Sequence, residues 1–343
     1  MRFIRNRIPA VTLAGIALSA ACASHSDQAG DPAARTLTLG AYTTPREAYR
    51  EILPAFAADW QAKNGASMAF EESYLGSGAQ ARAIASGFEA DVAALSLEPD
   101  IETLVQAGLI THDWKARALG GMVTRSVVVI AVRPGNPKNI TSWDDLRRSG
   151  IKVLTPNPRT SGGAMWNVAA MYGAALRGLT SARAGDSAAA EALLRDIMAN
   201  VVIMDKGARE SILTFESGVG DAAITYENEV LVSKAAGKAI DFVIPRGTIL
   251  IENPIAVIDG YASKRGTQAL ADAFVRYLIS AEGQRKYAKH GLRPADDNIA
   301  AEFRETYPEV PGLFTIRDLG GWTTVINRLF APGAAFERVS RRK

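Results

Sequence analysis

Two periods of hydrophobic spacing alternate along this chain. "TLTLGAY" reads as a strand, and a helix follows with Tyr49, Ile52, Leu53, Phe56 and Trp60 on one face. Pro54 lies inside that helix and predicts a kink, because proline lacks the N–H that the next turn requires. "ASMAFEES" is the next strand, "SGAQARAIASG" the next helix and "ADVAALSLE" a third strand. "RSVVVIAVRPGNP" predicts a buried strand that runs into a turn. A second series opens with "IKVLTPNP", "NVVIMD" and "DAAITYENE" as strands. It continues as a long extended segment, "DFVIPRGTILIENPIAVI", with helices to the end.

Strands alternating with helices imply an α/β fold of mostly parallel sheets with helices on both faces. Two such series predict two lobes, with the chain crossing between them near Val123–Val132 and near Pro245–Pro254. Residues 35–122 plus 250–343 are expected in the first lobe and residues 123–249 in the second. No internal repeat is visible, and no linker rich in Gly, Pro and Ser separates the lobes, so they are expected to interleave through a hinge.

Composition narrows the function classes. The 343 residues suffice for two domains, and 48% hydrophobic with 22% charged residues is ordinary for a soluble globular protein. The formal charge of +3 is small, and the basic residues are scattered without an aromatic stripe, so no nucleic-acid surface is expected. His25, His112 and His290 have no ligand-like spacing, so neither a metal site nor a cofactor is expected.

The N-terminus carries an address. "MRFIRNR" supplies three arginines, "IPAVTLAGIALSAA" is an apolar segment too short to span a bilayer comfortably, and small residues surround Cys22. Residues 1–21 read as an export signal and 22–34 as a polar tether. "SAAC" resembles a bacterial lipoprotein signal, which makes Cys22 a lipidated first residue and places the protein in the periplasm or cell envelope. Leu18 stands four residues before the cysteine rather than the usual three, and plain cleavage after Ala21 or Ala23 also fits. Cys22 is the only cysteine, so no internal disulfide forms.

Candidate chemistry gathers at strand-to-helix turns, where open α/β sheets bind ligands. "SYLGSGAQ" places Ser77 and Gly78 at a helix start, and "LTPNPRTSGGAMW" places Ser161, Gly162 and Gly163 at another. "VIMDKGARESILTF" places Gly207 and Ala208 before a third helix, and "AAITYENE" ends a strand with Tyr226. The first N–H groups of a helix lack partners inside it and carry its positive dipole end. Small residues let an anion reach them. After the "TSGG" turn, Met165, Val168, Ala169 and Tyr172 fall on one helical face.

The order and wording of these loops resemble the periplasmic sulfate-binding proteins of ATP-driven sulfate/thiosulfate importers. The resemblance runs from "YTTPRE" through "GSG", "GNPKNITSWDDL", "TPNPRTSGGAMWN", "GARESILTF" and "GDAAITYENE" to "LFTIRDLGGW". It implies a two-lobed periplasmic-binding-protein fold of type II, with the ligand cleft at the hinge. It also implies a monomer that clamps sulfate or thiosulfate and presents the anion to a membrane permease. Matched residue by residue, the family's ligand contacts fall on Ser77, Ser161, Gly162, Gly163, Ala208 and the aromatic position of Tyr226, with Gly78 beside Ser77. The family usually has tryptophan at that aromatic position, and "YDPTRE" where this chain has "YTTPRE", so Thr43 replaces an aspartate.

The donors explain a selectivity. Sulfate has no proton at neutral pH and only accepts hydrogen bonds, whereas phosphate keeps a proton that needs an acceptor. Arg46, Lys206 and Arg209 lie near the loops and are expected in salt bridges or solvent, with Glu227 and Glu229 as partners across the lobes. Trp166 and Trp322 are expected to pack. Two further readings are a binder of another oxyanion such as molybdate, and an ester hydrolase using Ser77. The second lacks a G-x-S-x-G frame, and neither His112 nor His290 sits in a motif that would make it a base, so no enzyme is expected.

Overall fold

The computed structural model describes residues 35–340; the export signal, Cys22 and the tether lie outside the described residues. The first part of the chain builds β1 (Arg35–Tyr42), α1 (Arg46–Asn64), β2 (Met68–Leu75), α2 (Ser77–Ala85), β3 (Val92–Ala94) and α3 (Glu98–Gln106). The middle adds β4 (Met122–Val132), β5 (Val153–Pro156), α4 (Gly162–Leu176), α5 (Ser187–Ala199), β6 (Val201–Asp205) and α6 (Ala208–Glu216). Then come β7 (Ala222–Tyr226), α7 (Glu227–Ala235), β8 (Asp241–Val243), β9 (Leu250–Val257), α8 (Asp259–Arg265), α9 (Gln268–Ile279) and α10 (Ala281–Lys289). The end holds β10 (Arg293–Pro294), α11 (Asp297–Glu302), α12 (Gly321–Val325) and α13 (Ala335–Ser340).

The strands follow one path, β2-β1-β3-β9-β4-β7-β5-β6, with β8 and β10 added on β4. Pairing is parallel at both ends, where β1 joins β2 and β3, and where β5 joins β6 and β7. It is antiparallel at the centre, where β9 meets β3 and β4, and β4 meets β7. The alternation of strands and helices foretold the parallel ends; the antiparallel centre makes the sheet mixed. The early part of β4 pairs with β9 and its last five residues, Val128–Val132, pair with β7, so this one strand spans two halves of the molecule.

Burial follows the pleat. Leu37, Leu39, Val92, Ile255 and Val257 pack with Phe56 and Phe274, while Ala93, Leu95, Ala256 and Ile258 pack on the other face with Leu104 and Trp114. In the second half, Val128, Ile130 and Val132 face Trp143 and Trp166, whereas Val127, Val129 and Ala131 face Ile212 and Phe215. Both faces of each half are therefore covered, and both need apolar side chains.

Two local expectations change. Helix α1 runs through Pro54 as one element of 19 residues, with the proline on its exposed side. Helix α4 is not amphipathic: Trp166, Val168, Ala170, Met171 and Ala174 are all buried, and Met165 is among its few partly exposed residues. The C-terminal helices explain this, because Trp322, Val325, Leu329 and Phe336 join the same cluster, and α13 lies against α5. That segment packs with the second half, although the sequence reading placed residues 250–343 with the first.

Candidate functional site

Six strands end at one small cavity. Tyr42 ends β1 and Thr43 and Thr44 follow it, Gly76 and Ser77 follow β2, and Ser96 follows β3. Ser161 caps α4 and Gly162 and Gly163 open it, Ala208 opens α6 after β6, and Tyr226 ends β7. The cavity measures about 10 Å³, room for the centre of a single water-sized group. Of the expected residues, Ser77, Ser161, Gly162, Gly163, Ala208 and Tyr226 line it together. Gly78 does not: it stands one residue further into α2, where a Cβ would face the Arg82 and Asp100 side chains. Tyr42, Thr44, Gly76 and Ser96 are lining residues that the sequence reading did not single out.

Three helices aim their N-termini at the cavity, with Ser77, Gly162 and Ala208 as their first residues. Ser161 caps α4, its Oγ accepting from the Ala164 N–H at 3.3 Å, which leaves its own proton free for a ligand. Ser77 is used differently. Its hydroxyl donates to Asp100 Oδ2 at 2.5 Å and accepts from the Ser96 N–H at 2.8 Å, so Ser77 offers the cavity its backbone N–H.

Glycine is required here by contact. A Cβ on Gly163 would lie 2.6 Å from Tyr226 Cε2, and one on Gly162 would lie 2.7 Å from Ser96 Oγ. A Cβ on Gly76 would lie 2.4 Å from the carbonyl oxygen of Thr160, which belongs to the other half. The two halves thus meet backbone to backbone, and the cavity is closed between them.

Charge is kept at one remove. Asp100 reaches the cavity only through Ser77, and burial pushes its carboxyl up to about 6 against the pull of Ser77 and Arg82. Glu229 is fully buried, and burial pushes it up to about 7, opposed chiefly by the Arg209 guanidinium and by the Thr44 hydroxyl. Arg209 holds two carboxylates, Glu229 at 2.9 Å and Glu47 at 2.8 Å, the latter across the halves. Lys206 pairs with Glu210 at 3.7 Å, and Arg46 lies over the Tyr74 ring at 5.1 Å. Glu227 takes a partner the sequence reading missed: Arg293 grips it through two hydrogen bonds of 2.7 and 2.9 Å. Trp166 packs edge-on against Trp322, with centroids 4.7 Å apart, and donates its indole N–H to the Ser96 carbonyl.

The arrangement therefore offers amide and hydroxyl groups, with no charged side chain in its lining. Such a site suits a small, dehydrated anion. Among the described residues no cluster of His, Cys, Asp and Glu could hold a metal ion. No helix among them is long and apolar enough to cross a membrane.

Comparison with known proteins agrees with this geometry. Residues 37–293 match the family described as bacterial extracellular solute-binding protein. A sulfate-binding protein of Synechococcus elongatus is 39% identical, the alignment covering 97% of this chain and 95% of the relative. A sulfate-binding protein of Escherichia coli is 39% identical, covering 88% and 92%. A thiosulfate-binding protein of Pseudomonas aeruginosa is 32% identical, covering 90% and 92%. The solved structure of the sulfate-binding protein SubI from Mycobacterium tuberculosis superposes with a TM-score of 0.79 at 39% identity, over 86% of this chain and 99% of that one.

Proposed function

The chain belongs to the bacterial extracellular solute-binding proteins, with their type II periplasmic-binding-protein fold, and we propose that it captures sulfate or thiosulfate for an ATP-driven importer. One observation carries the reading: three helix N-termini converge on a small cavity lined by amides and hydroxyls, with no charged side chain in the lining and Arg46, Lys206 and Arg209 engaged elsewhere. Sulfate accepts at all four oxygens and satisfies such a wall. Phosphate would bury a proton with no carboxylate in the lining to receive it, at a cost of about 1–3 kcal/mol. Micromolar capture needs about 8 kcal/mol, a sum that several charge-assisted hydrogen bonds at dipole ends can supply.

The mechanism is closure. One half, residues 35–122 plus the elements from β9 to α11, carries Ser77; the other, residues 123–249 with the C-terminal helices packed on it, carries Ser161 to Gly163 and Ala208. An anion that touches both halves favours the closed state, and the Arg209–Glu47 pair spans the same gap. The closed monomer then docks on a membrane permease. It works outside the cytoplasm, tethered through a lipid on Cys22.

Binding without turnover is the better reading of Ser77. Its proton is given to Asp100, while His112 sits on Asp259 and His290 on Glu51, neither lining the cavity. A molybdenum transporter domain from Clostridium difficile shares 15% identity with this chain, a likeness of fold alone. Thermal melting tests the proposal: sulfate or thiosulfate at 100 times its Kd should add about 2.7 kcal/mol of stability. A melting temperature that neither anion moves would remove it.

A further inference from the structure

We propose that Ser96 gives the bound anion a hydroxyl donor and that Tyr226 is the residue that aims it. This rests on the anion-binding reading and adds a contact to it. Ser96 and Tyr226 come from different halves, 130 positions apart, and each is 1% exposed. Their hydroxyl oxygens lie 2.6 Å apart beside the cavity. Two hydroxyls that share one hydrogen bond have one proton left over. The oxygen that keeps it decides which residue serves the ligand.

Asn253 holds the Ser96 backbone in place. It is fully buried; its Nδ2 donates to the Ser96 carbonyl at 3.1 Å, and its Oδ1 accepts from Thr124 Oγ1 at 3.1 Å. A carbonyl only accepts, so the amide nitrogen of Asn253 must face Ser96. A phenol is a stronger acid than an aliphatic hydroxyl, so Tyr226 Oη gives the shared proton to Ser96 Oγ. The Ser96 proton then remains for the cavity.

The backbone of Ser96 is fixed independently. Its N–H donates to Ser77 Oγ at 2.8 Å, and its carbonyl also accepts from Trp166 Nε1 at 3.0 Å. Gly162 leaves the space: a Cβ there would stand 2.7 Å from Ser96 Oγ, so the absent side chain lets this hydroxyl and the start of α4 face the same anion. The chain of donors runs Tyr226, Ser96, anion. Tyr226 is in this account a positioning residue.

Calorimetric titration of sulfate, thiosulfate and molybdate into wild type, Ser96→Ala, Tyr226→Phe and the double variant decides the matter. Ser96→Ala should weaken binding by about 10- to 100-fold. Tyr226→Phe should cost less, about 3- to 10-fold, because the serine hydroxyl stays but loses its aim. The double variant should match Ser96→Ala within about twofold. Unliganded melting curves check folding, and Ser96→Gly replaces Ser96→Ala if the latter does not fold. A larger loss from Tyr226→Phe than from Ser96→Ala, or losses that multiply in the double variant, would overturn the relay. Wild type that binds molybdate alone would refute the sulfate reading while the order of the variants still judges Ser96. Wild type that binds none of the three would overturn both.

Discussion

Two hollows of this molecule differ in a way that volume would misjudge. A groove between α1, α7 and α10 offers about 740 Å³, walled by Leu231, Val232, Ala235 and Ala288, with Arg50 and Lys289 among its lining residues. The cavity at the strand ends offers about 10 Å³ and is walled by amides and hydroxyls. The groove's carboxylates already have partners: Glu51 holds Lys286 and His290, and Glu47 holds Arg209. In the cavity the polar groups converge, and no charged side chain joins the lining. A dehydrated anion needs a density of donors, so the smaller space is the better site.

The sharpest way to break this comparison is to pry the small cavity open. Gly76→Ala would set a Cβ 2.4 Å from the Thr160 carbonyl oxygen, backbone against backbone, and hold the halves apart. Sulfate affinity by calorimetry should fall by about 100-fold, the upper end of an overpacking cost. Ser161→Ala removes one hydroxyl donor and the α4 cap, and should cost about 2 kcal/mol of binding free energy in the same titration. If its Kd is unchanged, Ser161 does not touch the anion.

Proton linkage gives a smaller effect with a fixed sign. Burial raises Asp100 to about 6 and Glu229 to about 7, so the folded protein keeps these protons to higher pH than the unfolded chain does. Their contribution to stability is therefore largest in acid and is lost as pH rises towards those values. A neutral carboxyl also repels the anion less. Sulfate does not titrate between pH 8 and pH 5.5, so its affinity should rise several-fold on that descent, with proton uptake visible in buffers of different ionisation enthalpy. Affinity that weakens as pH is lowered from 8 to 5.5 would reverse the assignment. The groove supplies the smallest effect: Arg50→Ala with Leu231→Ala should leave the sulfate Kd within about twofold, since surface changes away from a site cost little.

Much of this was legible before the fold was known, and the reasons are local. Ser161, Gly162 and Gly163 announce themselves because a capping serine and two glycines before a helix are a signal contained in one turn. The parallel ends of the sheet follow from strand–helix alternation in the same way. Ser96 was not legible: β3 is three residues long, no glycine follows it, and its partner Tyr226 is 130 positions away. Asp100 was equally silent, since only the fold brings its carboxylate to Ser77. The even burial of α4 misled a periodic reading, because the helices that cover its second side come from the far end of the chain.

The central claim is that uncharged donors, fixed at helix starts, hold a fully ionised oxyanion. The direct measurement is calorimetric titration of ligand-stripped protein with sulfate and with phosphate, side by side at neutral pH. The account predicts sulfate binding at about micromolar Kd or tighter, and no detectable phosphate binding. Phosphate binding as tight as sulfate would contradict it, because the lining presents no carboxylate to receive the phosphate proton.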